Sequence, residues 1–323
     1  MKLISTLRTA LIVVVATLAL KASLAEAEPE PERHANIVRL ETIPTEILLN
    51  RRDDYRQVLV AGITESGARI DLTDQATFLP TAPLVKVSPF GVVTPLADGN
   101  TRIRIVHGKI TASVSVQVRN ATVAGEISFV RDVMPLLSKH GCNAGTCHGA
   151  QQGKDGFKLS LRGYDPQFDH QALTDDLAGR RFNRSAPQRS LMLLKSTGEV
   201  PHHGGVAFGF DDRSYHVLRD WIAAGVKFDP GVPRVERIEL FPKLPELLAA
   251  GMTQRFAVVA HYEDGSSRDV TNETHLESNL PEVVAVHAHG KASAVRRGEA
   301  AILARYQGAY AAASVVVLGD RTG

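Results

Sequence analysis

The sequence lacks several features that define common classes of protein. Its 37 basic and 35 acidic residues give a formal net charge of only +2, so no basic field for nucleic acid is present. It has two cysteines, close together, which confines cysteine chemistry to one place. No apolar run beyond the N-terminal region reaches the ~20 residues that a spanning helix needs. The sequence also lacks a serine–histidine–aspartate order, a phosphate loop and paired carboxylates at a glycosidase-like spacing. Hydrolytic catalysis therefore has no support, and we expect a non-enzyme.

The N-terminus has the pattern of a secretory signal. Lys2 and Arg8 precede an apolar stretch at 10–20, and small-residue cleavage sites end at Ala25 and Ala27. We therefore predict a signal peptide over residues 1–27 and a protein exported to the periplasm or cell surface. The alternative is an uncleaved anchor, although the apolar stretch is much shorter than a membrane span.

Two β-rich stretches, 33–120 and 233–319, are related as an internal repeat. The run Gly67–Thr73 corresponds to Gly265–Thr271, and Gly91 corresponds to Gly290. Both stretches alternate apolar and polar residues between turn residues. They predict two all-β sandwiches.

Each repeat places an aspartate two residues before a threonine, Asp71 before Thr73 and Asp269 before Thr271. One carboxylate and one hydroxyl supply too few oxygens for calcium. We expect both aspartates to cap turns instead.

Between the repeats, residues 126–229 change to helical periodicity. Apolar residues from Phe129 to Leu137 share one helix face, and Tyr215, Leu218, Trp221 and Ile222 share another. The middle of the chain is therefore predicted to be an all-α domain, which makes the whole a multidomain protein.

The chemistry is concentrated at Cys142, Cys147 and His148. Two thiols followed directly by a histidine are typical of covalent c-type haem attachment, with two thioethers and an iron ligand. Four residues separate these thiols instead of the usual two, so the backbone must bulge, and Gly145 permits this. A Cys142–Cys147 disulfide and a metal site of two cysteines and one histidine are the alternatives.

The middle segment resembles the cytochrome c-like domain of planctomycete-type surface proteins, flanked by bacterial immunoglobulin-like domains of group 2. The motifs that carry the resemblance are the Cys142–His148 run and, by their one-letter sequences, FVRDVMPLL at 129–137, GFKLSL at 156–161, GYDP at 163–166, SL at 190–191, PHHGG at 201–205 and WI at 221–222. The resemblance implies an all-α cytochrome c-like domain with covalent haem c, held between two immunoglobulin-like sandwiches. It implies electron transfer to a redox partner protein or a surface component. The longest relatives continue into further C-terminal domains.

A second iron ligand is expected downstream of His148. Related cytochromes place a methionine where this chain has Val200, and the resemblance matches the neighbouring His202 to the family's P-H-x-G-G element. His203 and Met192 are the rival ligands. Ligation by His148 and His202 together would close the iron to small molecules and suit electron transfer, whereas an open position would suit a peroxidase-like enzyme. The competing hypothesis is a haem-free structural or adhesive surface protein with the disulfide.

Overall fold

Strands with alternating burial build two β modules with the same topology. The computed structural model describes residues 36–247 and 249–319, so the predicted signal peptide lies outside the described residues. The strands of the first module are β1 Ile37–Ile43, β2 Glu46–Leu49, β3 Arg56–Gln57, β4 Leu59–Thr64, β5 Arg69–Asp71, β6 Thr77–Pro80, β7 Val85–Val87, β8 Val92–Pro95, β9 Gly99–His107 and β10 Ile110–Val118. They form sheets of order β1-β4-β5, β2-β10-β9-β6 and β3-β8-β7 around one apolar core.

The second module repeats this order strand for strand. Its strands are β11 Val235–Phe241, β12 Glu246–Leu247, β13 Thr253–Arg255, β14 Ala257–Tyr262, β15 Ser267–Asp269, β16 His275–Ser278, β17 Val284–Val286, β18 Lys291–Ala294, β19 Gly298–Tyr306 and β20 Ala309–Val317. The sheets are β11-β14-β15, β12-β20-β19-β16 and β13-β18-β17. The repeat seen in the sequence is thus a repeat of architecture.

The middle segment contains short helices joined by long turns. Its α-helices are α1 Met134–Lys139, α2 Pro166–Thr174, α3 Leu191–Ser196 and α4 Arg213–Ala223, with a π-helical turn at Phe129–Val133 and single 3-10 turns between them. Pro135 is tolerated because it lies at the start of α1, where its missing N–H costs no hydrogen bond. The amphipathic α4 buries the apolar face that its periodicity predicts, with Trp221 and Ile222 fully buried.

The predicted fold class, two sandwiches around an all-α cytochrome c-like domain, is wrong. The described chain is mostly β-sheet, and its four α-helices have only 6 to 11 residues. Glycines are the physical reason: Gly141, Gly153 and Gly156 adopt positive φ, which an α-helix excludes. No helix among the described residues is long and apolar enough to cross a membrane.

The two β modules are joined reciprocally. Asp71 Oδ1 accepts hydrogen bonds from the Thr73 amide and hydroxyl, which caps the turn as expected, while its Oδ2 accepts from the Arg255 amide of the second module at 2.5 Å. Asp269 does the same with Thr271, and its Oδ2 accepts from the Gln57 amide of the first module at 2.7 Å.

Gln57 and Arg255 occupy matching positions, at the ends of β3 and β13. Asp71 thus accepts from Arg255 of the second module, and Asp269 accepts from the matching Gln57 of the first module. Two equivalent contacts that run in opposite directions are the pattern of an isologous two-fold interface. We call this set of contacts the reciprocal joint.

The rest of the interface is not symmetric. On one side Asp74 accepts from Arg255 Nη2 at 2.6 Å and from Lys291 Nζ at 2.9 Å, and joins only the two modules. On the other side Glu273 accepts from the Tyr55 hydroxyl at 2.6 Å and from Arg213 Nε at 2.9 Å. Because Arg213 is the first residue of α4, this side also holds the middle segment.

Further contacts fasten the middle segment to the second module. Arg268 pairs with Asp132 at 2.6 Å in a largely buried site. The Tyr306 hydroxyl donates to the Arg131 carbonyl at 3.0 Å, and Gln307 Nε2 donates to the Val130 carbonyl at 3.0 Å. Residues from Ile37 onward accordingly form one compact unit.

Candidate functional site: a cleft between two histidines

The middle segment contains a cleft of about 520 Å³. One wall is the loop from Cys142 to His148, and the opposite wall is the loop around His202. Met192 of α3 and His203 also line it, so all the candidate ligands named from the sequence meet in one place.

The Cys142–His148 loop is held by its own backbone. The His148 amide donates to the Cys142 carbonyl at 3.1 Å, and the Leu159 amide donates to the His148 carbonyl at 2.8 Å. A β-carbon on Gly149 would lie 2.0 Å from the Asn143 carbonyl oxygen, so only glycine fits directly after the histidine. The expected bulge is therefore made by tight turns, and the positive φ lies at Gly141 and not at Gly145.

His148 and His202 face each other with nearly parallel rings. Their ring centroids are 6.4 Å apart and the planes differ by 12°. His148 Nδ1 lies 3.1 Å from the Phe157 carbonyl oxygen, and His202 Nδ1 lies 3.2 Å from the Gly205 carbonyl oxygen. A carbonyl oxygen only accepts, so Nδ1 of each ring is the donor in these contacts, and in the neutral form of such a ring Nε2 keeps a lone pair. Burial lowers the pKa of His148 and favours this neutral form.

The two cysteines carry free thiols, so the alternative disulfide is not formed in this structure. Burial, with the nearby Cys147 as a second cause, raises the pKa of the Cys142 thiol to about 11. Cys142 is therefore a protonated thiol at neutral pH. In the described residues no group of three or more His, Cys, Asp or Glu side chains could hold a metal ion.

His140 lines the same cleft. Its Nε2 lies 2.8 Å from the Ser214 hydroxyl, and burial lowers its pKa to about 4. The pair is not a catalytic dyad, because Ser214 is only 1% exposed and no substrate reaches it.

Comparison with known proteins finds no family for this chain. No protein-family model matches it, and no curated protein matches it. The prediction of a planctomycete-type cytochrome c-like protein with group 2 immunoglobulin-like domains is wrong. The terms cytochrome, haem and iron have no support from these comparisons either, because no family model matches and the described residues form no all-α cytochrome domain.

Several solved structures align with most of this chain at low sequence identity. Domains 5–6 of the S-layer protein SbsC match with 11% identity over 88% of this chain and 98% of theirs, at a TM-score of 0.33. Domains 1–6 of the same protein match with 12% identity over 87% of this chain at a TM-score of 0.24, and the chain covers 27% of that structure. Human protocadherin-24 EC1-2 matches with 9% identity over 88% of this chain and 99% of its own length, at 0.18. Scores this low do not establish a shared overall fold.

Proposed function

We propose that this chain is a structural protein of the cell surface, whose two β modules hold the middle segment and its cleft as one rigid body. The reciprocal joint carries this proposal. Asp269 is 2% exposed and Asp71 is half-buried. The carboxylate of each accepts a hydrogen bond from a backbone amide of the opposite module. Modules connected in this way do not move independently, unlike modules on a flexible linker.

Export is the part of this proposal that a direct experiment addresses. The full chain, expressed in bacteria with a C-terminal epitope tag, is expected in the extracytoplasmic fraction with its N-terminus at residue 26 or 28. A variant with Val13→Glu and Val14→Glu, which breaks the apolar stretch, is expected to stay in the cytoplasm at full mass. Retention of the unaltered chain in the cytoplasm would contradict a surface role.

A specific observation favours a second function, cofactor binding, within the same scaffold. We propose that the cleft binds a covalent haem c: His148 and His202 would hold the iron, and the thiols of Cys142 and Cys147 would be the attachment points. The observation is that the His148 and His202 rings lie 6.4 Å apart, centroid to centroid, in a cleft that both cysteines also line.

The donor set supports a macrocycle over a bare ion. His148 and His202 are the two histidines whose rings stack in the described cleft, so a bound group would itself supply the remaining ligands of its metal. Each imidazole is oriented by an Nδ1–H bond to a carbonyl, the usual support for a ligating histidine. A haem would supply one-electron chemistry, and its redox partner would be another exported protein. The intact mass of the mature protein tests this proposal, and the expected result is given in the Discussion.

A further inference from the structure

Arg181 is a buried cation without a close ion pair among the described residues, although the more distant Asp176 carboxylate interacts with its charge. Its side chain is 6% exposed, and Nη1 donates to the Asp176 backbone carbonyl at 3.1 Å. Among the described residues no carboxylate oxygen lies within ion-pair distance of it. Burial lowers the pKa of the guanidinium, but an arginine remains charged at neutral pH.

The position of Arg181 connects it to the histidine pair. Its guanidinium carbon lies 4.0 Å from the centre of the Phe157 ring, and that ring lies 4.6 Å from the His148 ring. The cation–π contact compensates only part of the cost of burial. Arg181 itself lines the cleft, so its free N–H donors are available to a ligand there.

The charge of the cleft has one dominant sign. Lys154, Arg180 and Lys195 line it together with Arg181, and Asp155 is the one acidic residue in its described lining. The remainder of the lining is largely apolar, with Leu137, Leu159, Leu173, Leu191 and Val206. Such a site suits a molecule with an apolar body and an acidic group.

We propose that Arg181 binds a carboxylate of the molecule held in this cleft. The ligand is thus an apolar acid, and, resting on the proposed cofactor, the carboxylate is a propionate of the haem. The contact is a charge-assisted hydrogen bond beside Phe157, with Arg180 and Lys195 as secondary cations.

The first test compares a carboxylated porphyrin with its ester. Iron protoporphyrin IX and its dimethyl ester are titrated into the full chain with Cys142→Ala and Cys147→Ala, which keeps binding reversible. The acid is expected to bind roughly tenfold more tightly than the ester. Arg181→Gln is expected to abolish that difference and Arg181→Lys to restore part of it. Arg189→Gln, which changes an exposed arginine outside the cleft, serves as the control and is expected to leave the difference intact.

The second test needs no porphyrin. In the ligand-free chain Arg181→Met is expected to raise the melting temperature by roughly 2–4 °C, because it removes a buried charge that one carbonyl, the Phe157 ring and the more distant Asp176 carboxylate only partly offset. A lower melting temperature would show that Arg181 is structural and would overturn the proposal.

The outcomes separate the two proposals. Equal affinities for acid and ester in the chain with Arg181 overturn the carboxylate contact and leave the haem standing. If neither porphyrin binds, the haem proposal fails; a raised melting temperature of Arg181→Met then still supports an anion site, for an acid with a different body.

Discussion

Asp269→Ala is expected to lower the free energy of unfolding by about 3–5 kcal/mol, because buried donors lose their acceptor at about 1–3 kcal/mol each. The carboxylate accepts from the Thr271 amide, the Thr271 hydroxyl and, across the reciprocal joint, the Gln57 amide. Asp269 and Thr271 are both buried, so water does not replace the lost bonds. Urea unfolding followed by circular dichroism measures the change.

The chain offers a matched control in Asp264. Its Oδ1 accepts from the Ser266 amide at 2.9 Å and from the Ser266 hydroxyl at 2.6 Å, which is the same local turn at an exposed position without the contact across the joint. Asp264→Ala is expected to cost about 1 kcal/mol or less. Equal losses for the two variants would mean that the turn, and not the joint, carries the stability.

The two aspartates are also expected to act as one unit. Asp71→Ala removes the other hydrogen bond of the joint. The double variant Asp71→Ala, Asp269→Ala should therefore lose less free energy of unfolding than the sum of the two single variants. Additive losses would indicate two independent turns.

The second large effect concerns the cleft. We expect the full chain, produced in a bacterium that attaches haem to exported proteins, to gain the mass of one haem after signal cleavage and to show a low-spin absorption spectrum. His202→Ala should keep the added mass and lose the low-spin spectrum, because one of the two opposed imidazoles is gone. His203→Ala is the matched control, since His203 is the exposed neighbour on the same loop, and its spectrum should be unchanged.

The cysteine variants complete this test. Cys142→Ser together with Cys147→Ser should abolish covalent attachment while the histidine pair remains. A mature mass equal to that of the bare chain, or lower by two protons for a disulfide, would refute the haem proposal. Neither result bears on the proposed rigid joining of the two β modules.

Several features of the fold follow from the sequence for clear physical reasons. The alternation of apolar and polar residues predicts strands, because successive side chains of a strand point to opposite faces. Glycines at corresponding positions of the two stretches predict that these strands form a repeat. The Asp71–Thr73 and Asp269–Thr271 pairs predict capped turns, since these bonds are local. The second bond of each aspartate could not be predicted, because Gln57 and Arg255 share no chemical feature and donate only through their backbone.

The middle segment was harder to predict. Helical periodicity identifies α1 and α4, but it says nothing about the stretch from 141 to 165, where turn glycines replace helices. The neighbouring glycines and the resemblance pointed to His202, and its role as a ligand stays a prediction. His140 and Arg181 were missed, because a polar residue that tertiary contacts bury has no periodic signal of its own.

Amide hydrogen exchange at Gln57 and Arg255 measures whether the two β modules are joined rigidly. These two N–H groups donate to Asp269 and Asp71 across the joint. We expect both to exchange at the rate of global unfolding, as buried core amides do. Exchange of both amides at the rate of exposed loops, while β9 and β19 stay protected, would show that the modules separate freely and would contradict the reciprocal joint.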